Sequence, residues 1–258
     1  MKLVTPPRVS PQQFDTAMQA MAGVVGKDWV MASDADRDAY ADAYAPGPQE
    51  QWPAGAAVAP ASVEEVQAIV RLANEHKVPL WPVARGKNLG YGTAAPRMAG
   101  SVVLDLGRMN RILELDDKLA YCVVEPGVGF FDLYEEIQRK KLPLWMSVPG
   151  NAWGSVIGNA LEHGIGYTPY GLHARNLCGI EAVLPDGLQR PHLRFRAGHA
   201  GDGGHHAAQL VGVLDGLVTQ VGLRHLDVLR RACDERFEHV GAIGAIAQAR
   251  ADRGVGDR

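Results

Sequence analysis

The segment between residues 56 and 84 constrains the fold most strongly, because its pattern predicts a strand, a helix and a second strand in succession. "AAVAPAS" and "VPLWPV" are short apolar runs typical of buried strands. Between them, Ser62 and Glu65 have the S-x-x-E spacing of a capping box, and apolar residues then recur at helical spacing until about His76. Such a unit is typical of a sheet with helices packed on its face.

A glycine-rich loop follows the second of these strands directly. "ARGKNLGYGTAAP" contains Gly86, Gly90 and Gly92, and ligands favour the carboxyl ends of strands in open sheets. Successive backbone N–H groups of such a loop can form an anion-binding nest, and Arg85 and Lys87 favour a pyrophosphate there. The spacing of the glycines matches neither common phosphate fingerprint, so an ordinary turn stays open as an alternative from spacing alone.

The segments after residue 100 predict an α+β fold rather than a regular alternation of strands and helices. Strands are predicted at "SVVLDL", "RILELD" and "AYCVVEPG", and a helix at "FFDLYEEIQRKK", where Phe131, Tyr134 and Ile137 share a face. A second glycine-rich region, "VPGNAWGSVIGNALEHGIGYTPYG", comes next, and "IEAVLPDG" predicts a strand that enters a tight turn. Residues 1–54 are expected to hold one helix, at about 11–25, and then an extended arm.

Charge and composition narrow the class of protein. The formal net charge is −3, which gives no reason to expect nucleic acid or an anionic membrane as a partner. Cys122, Cys178 and Cys233 are odd in number and lack metal-ligand spacing, which favours packing thiols over disulfides or a metal site. No segment reaches about 18 uninterrupted apolar residues, and no secretion signal is evident at the N-terminus. We therefore expect a cytoplasmic protein without a membrane span.

Several motifs, in the same order, resemble flavoproteins of the p-cresol methylhydroxylase and vanillyl-alcohol oxidase family. They are "RGKNLGYGTAAPRMAGSVVLDLGRMNRILELD", "AYCVVEPGV" and "GSVIGNALEHGIGYTPYG", and the resemblance covers roughly residues 40–187. It implies FAD as the cofactor, held by an α+β FAD-binding domain of two subdomains that we expect at residues 55–225. It also implies a separate cap domain over the flavin, which we expect to be missing from this sequence.

The resemblance assigns cofactor-binding residues to both glycine-rich regions, which grip the cofactor from two sides. The first phosphate loop comprises Arg85, Gly86, Lys87, Asn88, Gly90, Tyr91 and Gly92. The second region lines the cofactor with Gly150, Gly154, Ser155, Gly158, Asn159 and Gly166. His163 and His173 lie near the second region but receive no role, because isolated histidines are more often packed or solvated than catalytic.

Tyr91 is the catalytic residue that the resemblance implies, because a tyrosine at the matching family position binds the substrate phenol and favours its phenolate. Electron density from the phenolate assists hydride loss from the para carbon to flavin and leaves a quinone methide that water attacks. The expected function is thus oxidation of a para-alkylphenol such as 4-cresol, with a cytochrome c as electron acceptor and a homodimer as the assembly. Alternatives are a vanillyl-alcohol-type oxidase that uses oxygen and a non-catalytic FAD-binding fragment.

The sequence departs from the family pattern at Gly150. The vanillyl-alcohol oxidase pattern has an aspartate next to the flavin at this position, so the acid-base group is either supplied elsewhere or missing. This departure favours the hydroxylase branch.

Residues 188–258 differ from the rest of the chain. They hold ten arginines and six of the nine histidines but no lysine, serine or asparagine. Within them only Leu214–Gln220, "LDGLVTQ", resembles the family. We therefore expect a disrupted reading frame after about residue 187, with poor folding and no turnover as the consequence; a genuine basic tail with its own partner is the alternative.

Overall fold

The structure is a computed structural model that describes residues 4–42, 44, 53–89, 93–150, 152–169, 171–194, 206–207 and 209–212. The helices within these residues are α1 Pro11–Val25, α2 Asp34–Asp38, α3 Val63–His76, α4 Phe130–Arg139 and α5 Val156–Leu161. The strands are β1 Val30–Met31, β2 Ala56–Val58, β3 Leu80–Val83, β4 Val102–Asp105, β5 Ile112–Asp116, β6 Tyr121–Val124, β7 Leu144–Trp145, β8 Gly179–Val183, β9 Gln189–Arg194, β10 His206–Ala207 and β11 Gln209–Gly212.

The first of two α+β units is a sheet of order β1-β2-β4-β3 with α1 and α3 packed on it. The predicted strand-helix-strand segment is confirmed as β2, α3 and β3, but β4 lies between the two strands and runs parallel to both. Phe14 and Met21 of α1 and Ile69 of α3 are almost fully buried in the core below this sheet. The parallel arrangement brings the carboxyl ends of β3 and β4 to the same sheet edge.

The start of α3 follows the predicted cap only in part. Ser62 Oγ accepts a hydrogen bond of 3.3 Å from the Glu65 amide, as the S-x-x-E spacing predicts. The Glu65 carboxylate accepts instead from the amide of Ala61, at 2.8 Å. Both bonds satisfy backbone donors at the helix start, so the predicted boundary is correct although the reciprocal half of the capping box is displaced by one residue.

The second unit is built around β5 and β6, an antiparallel pair that β11 extends in parallel on the β6 side. β8 and β9 form an antiparallel hairpin through the predicted tight turn, where Gly187 has a φ of +77°. α4 and α5 pack against apolar residues of β6 and of the loops that follow it, among them Cys122, Val124 and Val128. The two units match the predicted α+β architecture.

Two local predictions are wrong. Phe131 and Tyr134 are 45% and 51% exposed, and α4 instead buries Phe130, Leu133 and Ile137, whose i, i+3, i+7 spacing forms a different stripe. The expected extended arm contains the short helix α2, because Ser33 and Asp36 form a capping box: the Ser33 hydroxyl accepts from the Asp36 amide at 3.2 Å, and the Asp36 carboxylate accepts from the Ser33 amide at 3.0 Å.

The structure describes only some of the residues that the cysteine and tail predictions concern. Cys122 and Cys178 are buried and not in disulfides, as predicted, whereas Cys233 lies outside the described residues. Strand pairing continues beyond Gly187 through β9, β10 and β11. The reading-frame hypothesis stays a prediction that resequencing of the gene tests, and Leu214–Gln220 lies outside the described residues.

Candidate functional site

The described parts of the two glycine-rich regions lie side by side. Ala84, which joins β3 to the first loop, packs on α5: a Cβ placed on Gly158 would be 3.3 Å from the Ala84 Cβ. Ser155, the N-cap of α5, forms an isolated antiparallel bridge with Gly129, and its hydroxyl donates to the Pro126 carbonyl at 2.5 Å. The described parts of the two regions are therefore neighbours, as a shared cofactor requires, and the sharing itself stays a prediction.

Arg85 ties the first loop to the second unit. Its guanidinium lies 2.5 Å from the Asp132 carboxylate in the first turn of α4 and donates to the Gly127 carbonyl at 3.4 Å. Asp132 also accepts from the Gly129 amide at 2.8 Å. Because Asp132 already neutralises Arg85, an anion bound at this loop gains less from the arginine than from an uncompensated cation.

A cavity of about 210 Å³ opens beside the first loop. It is lined by Ala39, Tyr40, Val83, Arg85, Gly86, Lys87, Ala94 and Asp105. Gly86 has a φ of +58°, and a Cβ there would be 2.8 Å from the Ala94 Cβ, so the loop needs glycine at this position. The cavity thus combines a backbone that only glycine adopts readily with two cationic side chains at its edge.

Tyr40 and Asp105 form the polar wall of this cavity. The Tyr40 hydroxyl donates to the Asp105 carboxylate at 2.8 Å, and the Gly107 amide donates to its other oxygen at 2.8 Å. Burial and the neighbouring Asp105 carboxylate raise the pKa of Tyr40, so its hydroxyl stays protonated as a hydrogen-bond donor.

Tyr40 and Asp105 are not among the residues that the sequence predicted for the site. Asp105 carried a usable signal, because it ends β4 at the sheet edge where β3 delivers the first loop. Tyr40 had no such signal in the sequence, because it reaches the site from an irregular part of the N-terminal arm.

The second glycine-rich region lies against a buried cluster of polar side chains. Asn159 of α5 directs Oδ1 to Nδ1 of His173, at 2.5 Å, and Ser147 Oγ lies 3.1 Å from His173 Nε2. Gly166 is closely packed on the same group, since a Cβ there would be 2.9 Å from His173 Nε2 and would overlap Ser147 Oγ. His173 is 2% exposed and both of its ring nitrogens have partners, so it is a packed histidine, one of the two non-catalytic environments expected of it.

The burial of His173 predicts a specific pH dependence of stability. Desolvation lowers the pKa of His173 below its ordinary value of 6.5. The unfolded chain therefore takes up a proton before the folded chain does, so the free energy of unfolding should fall as the pH drops below about 6.5. Urea unfolding between pH 8 and 5 tests this, with His173→Asn as the control that lacks the contribution; parallel curves for the two proteins would contradict it.

The remaining predicted residues are placed as follows. The Asn88 carbonyl accepts from the Thr93 amide at 3.1 Å, and the Gly154 carbonyl accepts from the Phe130 amide at 3.3 Å. Gly150 lies near the exposed Tyr167, whose hydroxyl would be 3.8 Å from a Cβ at Gly150. Gly90, Tyr91 and Gly92 lie outside the described residues, so the catalytic role of Tyr91 stays a prediction.

Two further properties concern only the part of the chain that the structure describes. No group of three or more histidine, cysteine, aspartate and glutamate side chains there is arranged to hold a metal ion. Nor does that part contain a helix long and apolar enough to cross a membrane.

Comparison with known proteins gives consistent similarities. The FAD binding domain family matches residues 54–190. The 4-cresol dehydrogenase [hydroxylating] flavoprotein subunit of Pseudomonas putida is 37% identical over 223 residues, which cover 84% of this chain and 42% of that protein. Because residues 1–187 are a smaller share of the chain than this, the aligned part extends beyond Gly187, further than the motifs that carry the family resemblance.

Two solved structures are similar in fold and sequence. 4-Ethylphenol oxidase from Gulosibacter chungangensis, in its isoeugenol complex, has a TM-score of 0.70 and 42% identity, and p-cresol methylhydroxylase with substrate bound has a TM-score of 0.71 and 38% identity. Each comparison covers 72% of this chain and 36% of the solved chain. The chain thus spans 42% of the length of the curated relative and 36% of the length of each solved chain.

These findings confirm the resemblance to p-cresol methylhydroxylase, the α+β FAD-binding fold and FAD as the cofactor. The chain belongs to the FAD binding domain family.

Proposed function

We propose that this chain is the FAD-binding part of a flavin-dependent oxidoreductase that oxidises a para-alkylphenol. The observation that carries the proposal is the meeting of the two glycine-rich regions at Ala84 and Gly158, in a chain 37% identical to a 4-cresol dehydrogenase flavoprotein subunit. The relatives support the class of substrate, and the close packing of Ala84 and Gly158 supports one cofactor that contacts both regions.

The described residues fit a cofactor with a negatively charged diphosphate. The cavity of about 210 Å³ is below the ~300–1,000 Å³ of complete ligand pockets and suits a part of FAD rather than the whole. Lys87 at its edge supplies positive charge, to which Arg85 adds less because it is paired with Asp132, and Gly86 admits close approach to the backbone. We assign the diphosphate to this loop, together with Asn88, Gly90 and Gly92.

The second region is proposed to hold the other side of the cofactor. Gly150, Gly154, Ser155, Gly158, Asn159 and Gly166 are the residues proposed there. The missing side chain of Gly158 lets α5 pack within contact distance of Ala84, and Ser155 anchors the start of α5 through its bond with the Gly158 amide at 3.0 Å. These contacts support a site in which the two regions are held close together before a ligand binds.

FAD, when bound, supplies the acceptor for the two electrons of a hydride. Tyr91 is proposed to bind the phenol and favour its phenolate. Gly150 provides no acid or base at its position, so the proposed reaction draws on another group for any proton transfer there.

The electron acceptor separates two versions of this function. A cytochrome c is proposed as the acceptor, by analogy with the 4-cresol dehydrogenase subunit. The 42% identity to a 4-ethylphenol oxidase favours, as the second candidate, an oxidase that passes electrons to oxygen. Peroxide release during turnover supports the oxidase, whereas reduction of cytochrome c without peroxide supports the dehydrogenase.

The proposal also includes a homodimer and a cytoplasmic location. The native mass in solution tests the homodimer, and fractionation of the host tests the location.

Titration of the 258-residue chain with FAD, followed by anaerobic addition of 4-cresol, tests the proposal. The expected result is saturable FAD binding and bleaching of the bound flavin by 4-cresol. Binding without bleaching is the result expected of a non-catalytic FAD-binding protein. Absence of FAD binding by a folded chain would contradict both functions.

A further inference from the structure

His173 lies at the centre of a buried polar group beneath the second glycine-rich region. Its ring packs against Phe130, with ring centroids 5.8 Å apart. Nδ1 is 2.5 Å from Asn159 Oδ1, and Nε2 is 3.1 Å from Ser147 Oγ. Both ring nitrogens therefore have partners, and the three polar residues come from three separate segments of the chain.

The partners determine which nitrogen of His173 carries the proton. Asn159 Oδ1 is an acceptor, so Nδ1 is protonated and donates to it. In the neutral ring Nε2 then accepts from the Ser147 hydroxyl, whose oxygen accepts from the Thr168 hydroxyl at 3.0 Å. The donors thus run in one direction from Thr168 to Asn159, and a buried network satisfied in this way is rigid.

Gly164 is held between two members of this network. The His173 amide donates to the Gly164 carbonyl at 2.9 Å, and the Gly164 amide donates to the Asn159 carbonyl at 2.8 Å. The space that a Cβ of Gly164 would take is occupied by the side-chain amide of Asn159. Together with these two backbone bonds, the bond between His173 Nδ1 and Asn159 Oδ1 closes a ring of hydrogen bonds around Gly164.

We propose that His173 is a positioning residue for FAD binding, which holds Gly164–Gly166 against α5 through its Nδ1–H bond to Asn159. The inference rests on the proposed function, because the loop and Asn159 belong to the proposed cofactor site. His173 acts from beneath the loop, and Ser147 and Thr168 orient its ring from the other side. Without the Nδ1 donor, Asn159 loses a buried partner and the ring of hydrogen bonds around Gly164 opens, although the two backbone bonds of Gly164 remain.

Two amide variants separate positioning from simple packing. His173→Asn places an amide nitrogen where Nδ1 lies and keeps a donor for Asn159, whereas His173→Gln places its amide at the Nε2 position and lacks that donor. We expect His173→Gln to raise the Kd for FAD by about tenfold or more, and His173→Asn to stay within about threefold of the wild type. The readout is quenching of flavin fluorescence by the full 258-residue chain, at a temperature where circular dichroism shows all three proteins folded.

Each result decides the inference. A weaker Kd for His173→Gln with recovery in His173→Asn supports it. Equal weakening by both variants, or a wild-type Kd in both, overturns it and leaves the proposed function standing. Failure of the folded wild-type chain to bind FAD overturns the proposed function, and the inference falls with it.

Discussion

Lys87→Glu is expected to weaken FAD binding by about a hundredfold, or ~2.7 kcal/mol. Lys87 lines the cavity beside the first loop, and Asp132 already neutralises the neighbouring Arg85. The substitution removes a cation and adds a second carboxylate next to Asp105, so the proposed diphosphate meets repulsion where it met attraction. Because Lys87 is exposed, the free energy of unfolding should change by less than about 0.5 kcal/mol.

Lys118→Glu is the matched control for this prediction. It makes the same charge change at an exposed position in the turn between β5 and β6, and Lys118 does not line the cavity. Its Kd for FAD should equal that of the wild type at the same ionic strength. Equal losses in the two variants would show an effect of net charge alone, and an unchanged Kd in Lys87→Glu would remove the diphosphate from this loop.

Gly127→Ala should cause the largest loss of stability, about 3 kcal/mol. Gly127 follows β6 in the second unit and packs on the turn after β4 in the first, where a Cβ would be 2.7 Å from the Leu106 and Met109 carbonyl oxygens and 2.8 Å from that of Gly107. These are backbone atoms, so relief requires the two units to move apart. Thermal unfolding followed by circular dichroism should show a Tm lower by about 6–12 °C.

Gly23→Ala is the control for the glycine substitution itself. Gly23 lies within α1, where a Cβ would have no atom within 4 Å. Alanine there should raise stability by about 0.5–1 kcal/mol, because it limits the freedom of the unfolded chain and favours helix. A Gly127→Ala protein as stable as Gly23→Ala would show that the two units do not pack through Gly127.

The regular elements could be predicted because local patterns determine them. The boundaries of α1 and α3, and the strands that become β3 to β6, follow from capping residues and apolar periodicity within a few positions. The prediction for α4 failed because Phe131 and Tyr134 have the same i, i+3 spacing as Phe130 and Leu133. Local spacing alone does not say which of two apolar stripes meets the core.

The candidate site could be predicted only where glycine marks it. Gly86 and Gly158 stand out in the sequence, and both lie where a side chain would crowd a neighbour. The bond between Tyr40 and Asp105 joins residues 65 positions apart, and His173 meets Ser147 across 26 positions. No local pattern encodes such pairings, because they arise only when separate elements pack together.

Hydrogen exchange of the chain with and without FAD tests most directly whether the two glycine-rich regions share one cofactor. A shared cofactor should slow amide exchange in residues 84–88 and in residues 154–166 together, with the same FAD concentration dependence. The amides of β8, outside the proposed site, serve as the internal reference. Protection of one region without the other, or FAD binding that protects neither, would contradict the shared site.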